Sequence, residues 1–166
     1  MAIKSEDSIP SLPIRIDKDG VWYYRGDEMF RKDILALFFE SLKRNEQGEY
    51  LIEFRGEKCL IDVEDTPFVV KGVIRHSHQD RENEYLELFL NDFTKEKLDP
   101  STLRVGMDNV LYCSIKEGAF EARFSRPGYY QIAECIEYDT DKDAYFVCLN
   151  EHIYYIETYI SGGTQC

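Results

Sequence analysis

The fold is decided by residues 21–44, which read VWYYRGDEMFRKDILALFFESLKR. The opening Val-Trp-Tyr-Tyr run has strong β propensity, and a turn-like stretch at 17–20 separates it from an alternating stretch at 14–16. Gly26 and Asp27 then interrupt the strand, and apolar side chains recur at helical spacing over residues 30–44. The sequence therefore predicts a β-hairpin followed by an α-helix over 30–44.

Strand patterns recur on both sides of a charged connection. A hairpin is predicted at 50–63, with strands at 68–75 and 85–90 before the connection and at 110–115 and 119–124 after it. A second helix starts at Arg126-Pro127, and a last hairpin covers 144–156. These elements indicate an α+β fold with a mostly antiparallel sheet. The expected organisation is a flexible N-terminal arm at 1–13, an N-terminal α+β unit at 14–91, a linker at 92–108, a C-terminal α+β unit at 109–160 and a tail at 161–166.

When the sequence is aligned with itself at an offset of 95 residues, the predicted elements of the two halves coincide. The offset places identical residues on each other at three pairs of positions: Arg31 and Arg126, Tyr50 and Tyr145, and Ile61 and Ile156. Each half then reads as an arginine, a helix and an apolar hairpin. Duplication of one strand–helix–hairpin unit explains this pattern, and so does chance similarity between two helix–hairpins.

Composition narrows the class of protein. The chain has 166 residues and a net charge of −12, which disfavours binding to duplex nucleic acid because such binding needs a basic surface. No apolar run reaches the length of a membrane helix, so no membrane partner is expected. The cysteines are odd in number and contain no CxxC pair, which favours reducing conditions over a disulfide framework. We therefore expect a soluble, cytoplasmic protein.

Two arginines are the first candidate binding residues. Arg31 and Arg126 lie near predicted helix starts, where a positive side chain does not complement the helix dipole. One interpretation is a solvated surface arginine at each position. The other is that each arginine, with the helix-terminal N–H groups, faces an anion or a buried carboxylate.

Further candidate binding residues are spread along the sequence. Glu64 and Asp65 follow a predicted hairpin. One interpretation is that they are ordinary turn residues, and the other is that one of them binds an arginine or a ligand hydroxyl. Glu121 and Arg123 share one face of a strand, where an exposed ion pair is the simpler reading. Two aromatic side chains, those of Trp22 and Tyr130, are candidates for stacking on a ligand.

Catalytic and metal-binding motifs are not found. The chain contains no GxSxG, HExxH, P-loop or GxGxxG pattern, and no Ser/His/Asp spacing that indicates a triad. The run His76-Ser77-His78 lacks further ligands at a recognisable spacing, so no metal site is predicted. We predict no catalytic residues and no cofactor.

Three longer stretches carry a family resemblance. They are DGxWYYxG at 19–26, EKxxxDVEDxPF at 57–68, and GAFEARFSRxxYY at 118–130. Together they resemble the bacterial family called domain of unknown function 1285, and the similarity extends over residues 14–157. The resemblance implies a duplicated α+β core whose C-terminal half is superficially like pleckstrin-homology folds. It also implies a cleft between the halves suited to a nucleotide-like ligand in signalling.

Three functions remain open at this point. The first is a binding or sensing module for a small anionic, nucleotide-like ligand between the two units. The second is a hydrolase of phosphorylated or nucleotide substrates that uses clustered carboxylates, with either a metal or a raised carboxyl pKa. The third is a protein–protein adaptor that pairs through an apolar β surface, with a partner or with a second copy as a homodimer.

Overall fold

A computed structural model of the chain describes residues 9–77, 79 and 83–158. Within these residues the protein is mostly β-sheet and contains two α-helices, in agreement with the predicted α+β class. The chain divides into two compact units, Met1–Pro67 and Phe68–Cys166. In the described part of the chain, no helix is long and apolar enough to cross a membrane.

The first unit is built on one mixed sheet. Its strands are β1 (Ser11–Ile16), β2 (Trp22–Tyr24), β3 (Asp27–Glu28), β4 (Leu42–Arg44), β5 (Tyr50–Phe54) and β6 (Glu57–Val63). They are ordered β3-β2-β1-β6-β5-β4. The predicted hairpin is formed by β1 and β2, and β1 also runs parallel to β6. Because β1 begins at Ser11, the first strand starts inside the stretch predicted as a flexible arm.

The helix of the first unit, α1, spans Lys32–Glu40 and is shorter than predicted. The prediction of 30–44 was wrong at its C-terminal end, where Leu42 continues the helical spacing. In the structure Leu42 lies in β4, opposite Ile52 of β5. The backbone of these residues therefore bonds to the sheet, and both side chains join the core of the unit. That core consists of Ile14, Ile16, Trp22, Phe39, Leu42, Leu51 and Ile52.

The second unit contains two sheets and the helix α2, Arg126–Ala133. Its strands are β7 (Phe68–His76), β8 (Tyr85–Leu90), β9 (Lys95–Lys97), β10 (Arg104–Val105), β11 (Leu111–Ile115), β12 (Phe120–Phe124), β13 (Ile136–Asp139), β14 (Ala144–Leu149), β15 (His152–Tyr155) and β16 (Glu157–Thr158). Seven of them form a sheet in the order β16-β10-β11-β12-β7-β8-β9, and β13-β14-β15 form a second. Short 3-10 helices lie at Pro100–Thr102, Met107–Asn109 and Lys116–Gly118.

The division between the units lies earlier than predicted. The N-terminal unit was expected to reach residue 91, but β7 runs parallel to β12 and pairs with β8. Both strands therefore belong to the sheet of the second unit. The predicted linker at 92–108 is also part of that sheet, because β9 pairs with β8 and β10 pairs with β11.

Helix α2 is attached to β7 by hydrogen bonds at both of its ends. The hydroxyl of Ser125 caps the helix by accepting the N–H of Gly128 at 3.2 Å, and it donates to the carbonyl of Val70 at 2.8 Å. At the other end, Gln131 Oε1 accepts the N–H of Val73 at 2.6 Å. The β7–β8 register is irregular just before Val73, so Gln131 satisfies a donor beside this bulge.

Each helix is followed by three antiparallel strands, β4-β5-β6 after α1 and β13-β14-β15 after α2. The β5–β6 hairpin turns at Arg55 and Gly56, whose φ angles are 50° and 79°. The β14–β15 hairpin turns at Asn150 and Glu151, whose φ angles are 52° and 64°. Left-handed conformations at both central residues are typical of a type I′ turn, whose twist suits a two-residue hairpin.

Candidate functional site

Trp22 belongs to the core of the first unit. Its side chain is 2% exposed, and it contacts Phe38 and Phe39 at ring-centroid distances of 6.0 and 5.0 Å. Its indole Nε1 is buried and has no hydrogen-bond partner among the described residues. Since its faces are covered by these rings, Trp22 offers no stacking surface to a ligand, contrary to the prediction.

Arg31 is the N-cap residue of α1, as the prediction of a helix start required. Its guanidinium pairs with Asp33 at 2.7 Å, and both side chains are largely exposed. The hydrogen bond from Arg31 holds the pKa of Asp33 below its ordinary value. Arg31 also lies at the edge of an apolar groove of about 520 Å³ that includes Phe30 and Phe38. An exposed pair of this kind is the solvated surface arginine of the simpler interpretation.

Glu64 is the partner of an arginine, but within its own unit. One of its carboxylate oxygens accepts the guanidinium of Arg15 and the backbone N–H of Lys18, each at 3.0 Å. This contact ties the end of β6 to the turn after β1. Asp65 is half-buried in the bend after β6.

Glu121 pairs with Arg104. The guanidinium of Arg104 also stacks over the ring of Tyr112, 4.3 Å from its centroid. Tyr112 lies opposite Arg104 on β10 and opposite Arg123 on β12. Arg104, Tyr112 and Arg123 therefore form a row across three strands, with the aromatic residue in the middle.

Arg126 is the first residue of α2 and is exposed. Its side chain makes no hydrogen bond or ion pair with any other residue in the described part of the chain. Helical spacing places Tyr129, Tyr130 and Ala133 on the same face of α2 as Arg126, at i+3, i+4 and i+7. Tyr129 and Tyr130 are 43% and 63% exposed, and their rings contact each other at 6.0 Å.

A cavity of about 450 Å³ lies against this face of α2. Tyr129 and Ala133 contribute from the helix, and Ile136 and Tyr145 contribute from the three-stranded sheet. The remaining walls are Val105, Asn109, Leu111, Ile156 and Thr158. The lining is thus mostly apolar and aromatic with a few polar groups, which is the usual character of a small-molecule site.

Strand register explains which side chains of the three-stranded sheet reach this cavity. Tyr138 lies opposite Tyr145, and Ile136 lies opposite Val147. Because side chains alternate along a strand, these four share one face of the sheet. The rings of Tyr138 and Tyr145 contact each other at 5.0 Å. Tyr138 also donates a hydrogen bond to Asp143, which raises the pKa of its phenol.

A larger cavity of about 850 Å³ lies elsewhere in the second unit, around Lys116. It is less suited to an anion, because three carboxylates, Glu96, Asp99 and Glu117, line it together with Lys97 and Lys116. Lys116 is already committed, since its Nζ bonds to the nearly buried Asp92 at 2.8 Å and to Thr94 at 2.9 Å. The smaller tyrosine-lined cavity is therefore the better candidate site.

No group of three or more His, Cys, Asp or Glu side chains in the described part of the chain is placed to hold a metal ion. Of the histidine run, His76 stacks on Tyr85 at 4.6 Å and contacts Glu87 at 3.4 Å. His78 lies outside the described residues.

The predicted candidates Arg126 and Tyr130 lie on the same face of α2 as Tyr129 but do not line the tyrosine-lined cavity, and its lining residues Tyr129 and Tyr145 were not predicted. The spacing Arg126-x-x-Tyr129-Tyr130 on a helix would have indicated one shared face. Tyr145 could not have been assigned to it, because its position depends on the pairing of β13 with β14.

Comparison with solved structures identifies the class of fold. The chain matches a DUF1285 family protein from Silicibacter pomeroyi with a TM-score of 0.74 and 22% identity, covering 95% of this chain and 91% of that one. A DUF1285 family protein from Shewanella baltica matches with a TM-score of 0.59 and 20% identity, covering 74% of this chain and 91% of that one. The chain therefore has the fold of these bacterial proteins.

The family model gives the more particular result. Residues 6–66 match the N-terminal domain of the family described as domain of unknown function DUF1285. This confirms the resemblance predicted from the sequence, and the matched stretch ends beside the division between the two units. No curated protein matches the chain.

Proposed function

We propose that the protein is a binding module for a small, planar, anionic ligand of nucleotide-like chemistry. The observation that carries the proposal is the 450 Å³ cavity between tyrosine side chains, with an arginine that has no other partner in the described chain on the same helix face. The absence of a catalytic motif from the sequence makes binding a better hypothesis than hydrolysis.

The walls of the cavity supply the stacking part of the interaction. Tyr129 and Tyr145 are each about half exposed and both line the cavity, so their rings are available to a planar group. Stacked aromatic pairs contribute about 0.5–1.5 kcal/mol beyond the area they bury. Asn109 and Thr158 add hydrogen-bonding groups to the same walls.

Arg126 supplies the charge. Its guanidinium can bind a phosphate or carboxylate through two parallel hydrogen bonds, which favours oxyanions over other anions. The net charge of −12 repels anions at long range, but salt screens that repulsion beyond about 10 Å. A single local arginine is therefore sufficient to select an anion.

Thermal denaturation with the monophosphates of adenosine, guanosine, cytidine and uridine tests this proposal. At least one should raise the Tm in proportion to the logarithm of its concentration above the Kd. In Arg126→Gln and Tyr129→Ala the shift should fall or disappear, whereas Arg31→Gln should leave it unchanged because Arg31 lies in the first unit and pairs with Asp33.

A ligand-induced shift that persists in Arg126→Gln would contradict the proposed site. A shift that is also lost in Arg31→Gln would contradict a site confined to the second unit. If no monophosphate changes the Tm of the wild-type chain, the proposed ligand class is wrong.

We also propose that the two helix–hairpin segments arose by duplication. The support is that the shift of 95 residues relates the two type I′ turns and preserves the hairpin register. Leu51 lies opposite Leu60 in one hairpin, and Phe146 lies opposite Tyr155 in the other. Likeness of the second half to pleckstrin-homology folds and a role in signalling remain predictions implied by the family resemblance.

A further inference from the structure

Two thiols of the second unit line one cavity. Cys135 lies two residues after the end of α2 and Cys148 lies in β14, and both border a cavity of about 380 Å³. Both are half-buried, and neither is in a disulfide in the structure. This cavity is separate from the tyrosine-lined one, so a role for its thiols would be independent of the proposed ligand binding.

Strand register brings the two cysteines to the same end of the β13–β14 ladder. β13 and β14 pair antiparallel with Ile136 opposite Val147 as the last pair, and the next residues along the two segments are Cys135, in the turn before β13, and Cys148. Alternation puts both on the face of the sheet that faces away from Ile136 and Tyr145. Glu137, two residues after Cys135, lines the same cavity, as this alternation requires.

The spacing of such a pair suits a disulfide. Directly opposed residues of antiparallel strands have Cα atoms about 4.5 or 5.5 Å apart, depending on the hydrogen-bonding pattern. Disulfides span Cα separations of about 4.4–6.8 Å. The backbone of Cys135 is held in place by the hydrogen bond from its N–H to the carbonyl of Ile132 at 2.8 Å. Because Cys135 is one residue outside the ladder, a bond between the two sulfurs is expected to need side-chain rotation and a small adjustment of the turn at Cys135.

A cation lies beside one of the sulfurs. Arg75 Nη1 is 4.0 Å from Cys135 Sγ, and the other end of the guanidinium bonds to Glu84 at 3.3 Å. The carboxylate of Glu84 also accepts the N–H of Asn150 at 3.3 Å, so the group that binds Arg75 is itself held by the β14–β15 turn. Four glutamates line the same cavity, Glu84, Glu134, Glu137 and Glu151, so Arg75 contacts Cys135 within an otherwise acidic surrounding.

The other two described cysteines do not lie beside a second thiol in a cavity of this kind. Cys113 is 1% exposed, and burial raises the pKa of its thiol far above the ordinary value. Cys59 lies in β6 of the first unit. Neither lines the cavity that contains Cys135 and Cys148.

We propose that Cys135 and Cys148 form a reversible redox pair that low-molecular-weight disulfides oxidise. Cys135, deprotonated to solvent, attacks one sulfur of the small disulfide and releases a thiolate, which takes up a proton. Cys148 loses its proton, attacks the Cys135 sulfur of the mixed disulfide and displaces the second small thiol. Two protein thiols are oxidised to one disulfide, and the small disulfide is reduced to two thiols.

Equilibration of the full chain in buffers of oxidised and reduced glutathione tests the pair. Peptide mapping without reduction should find Cys135 linked to Cys148 with the loss of two hydrogens, and dithiothreitol should restore both thiols. In Cys148→Ser, Cys135 should instead accumulate as the mixed disulfide with glutathione. Cys59→Ser should leave the linkage unchanged. Finding no linked peptide at any glutathione ratio, or finding Cys135 linked mainly to Cys59 or Cys166, would overturn the proposal.

The role of Arg75 has a separate readout. The rate of Cys135 alkylation by iodoacetamide should fall in Arg75→Gln, because this change removes the guanidinium that contacts Cys135 Sγ at 4.0 Å. The matched change Arg55→Gln, in the first unit, should have no effect on this rate. An unchanged rate in Arg75→Gln would show that Cys135 is not activated by this arginine.

Discussion

At the scale of single residues, Asn150 joins the two sheets of the second unit. Its Oδ1 accepts the N–H of Glu84 at 2.7 Å, and its Nδ2 donates to the carbonyl of Glu84 at 3.0 Å. The N–H of Asn150 donates to the Glu84 carboxylate at 3.3 Å. Asn150 is also left-handed, with a φ of 52°, which Asn tolerates better than most residues. Asn150 thus stabilises the β14–β15 turn and also links the two sheets of the second unit.

Asn150→Ala should lower the free energy of unfolding by about 2–4 kcal/mol. Each lost side-chain hydrogen bond costs about 1 kcal/mol, and the left-handed backbone adds about 1–2 kcal/mol. Asn150→Gly should cost less, because glycine keeps the turn while losing the same hydrogen bonds. Urea denaturation measures both. Equal stability of Asn150→Ala and the wild type would show that the link between the sheets carries no stability.

The lowered pKa of Asp139 makes the free energy of unfolding depend on pH. Tyr155 donates a hydrogen bond to its carboxylate at 2.8 Å, and this bond is the main cause that lowers the pKa of Asp139 in the folded state. The backbone N–H groups of Asp141 and Lys142 donate to the other oxygen. Because the folded state favours the charged form, the stabilisation is complete above the unfolded pKa of about 4 and is lost as the pH falls through the lower folded value.

The stability of the wild type should therefore fall more steeply between about pH 5 and pH 3 than that of Asp139→Asn. Tyr155→Phe should also make the stability less dependent on pH, because it removes the hydrogen bond that mainly lowers the pKa of Asp139. Urea denaturation at a series of pH values gives the comparison, with Asp141→Asn as the control carboxyl. Parallel profiles for the wild type and Asp139→Asn would contradict this role.

At the scale of elements, the attachment of α2 depends on close approach to β7. A Cβ atom at Gly128 would lie 2.6 Å from the carbonyl oxygen of Val70, which is closer than atoms can pack. Gly128→Ala should therefore destabilise the chain by about 1–3 kcal/mol, the usual cost of overpacking. Ser125→Ala, which removes the helix cap, should cost about 1 kcal/mol. Denaturation curves measure both, and an unchanged midpoint for Gly128→Ala would contradict the close packing.

Local patterns predicted the hairpins better than the helix boundaries. The β5–β6 and β14–β15 hairpins follow from β-rich runs on either side of a short turn, and both predictions were confirmed. The end of α1 could not be predicted, because Leu42 fits both a helical face and a strand. Pairing with β5 decides between them, and the helical spacing of residues 30–44 carries no information about that pairing.

The candidate site was predictable only in part. The offset of 95 residues indicated Arg126, and the structure places it on the face of α2 that borders the cavity. Trp22 is buried and is therefore not a ligand-binding residue. The sequence could not show this, because an aromatic residue in a strand pattern can be either buried or exposed. The ion pair between Glu121 and Arg104 could not be predicted either, because it depends on strand pairing that no local pattern specifies.

At the scale of the whole molecule, the chain is organised differently from two equal halves. The first unit ends at Pro67, and the sheet of the second unit takes in β7, β8 and the stretch predicted as a linker. Long-range pairing, β7 with β12 above all, sets this boundary. Fold similarity over 95% of the chain to the Silicibacter pomeroyi protein shows that the arrangement of elements is shared.

The central claim is that the tyrosine-lined cavity of the second unit binds a nucleotide-like anion. The most direct test is an NMR titration of the ¹⁵N-labelled chain with the nucleoside monophosphate that raises the Tm most. The largest amide shifts should occur at Tyr129, Ala133 and Tyr145, and they should be greatly reduced in Arg126→Gln. Shifts confined to residues of the first unit, or no shifts at millimolar ligand, would contradict the claim.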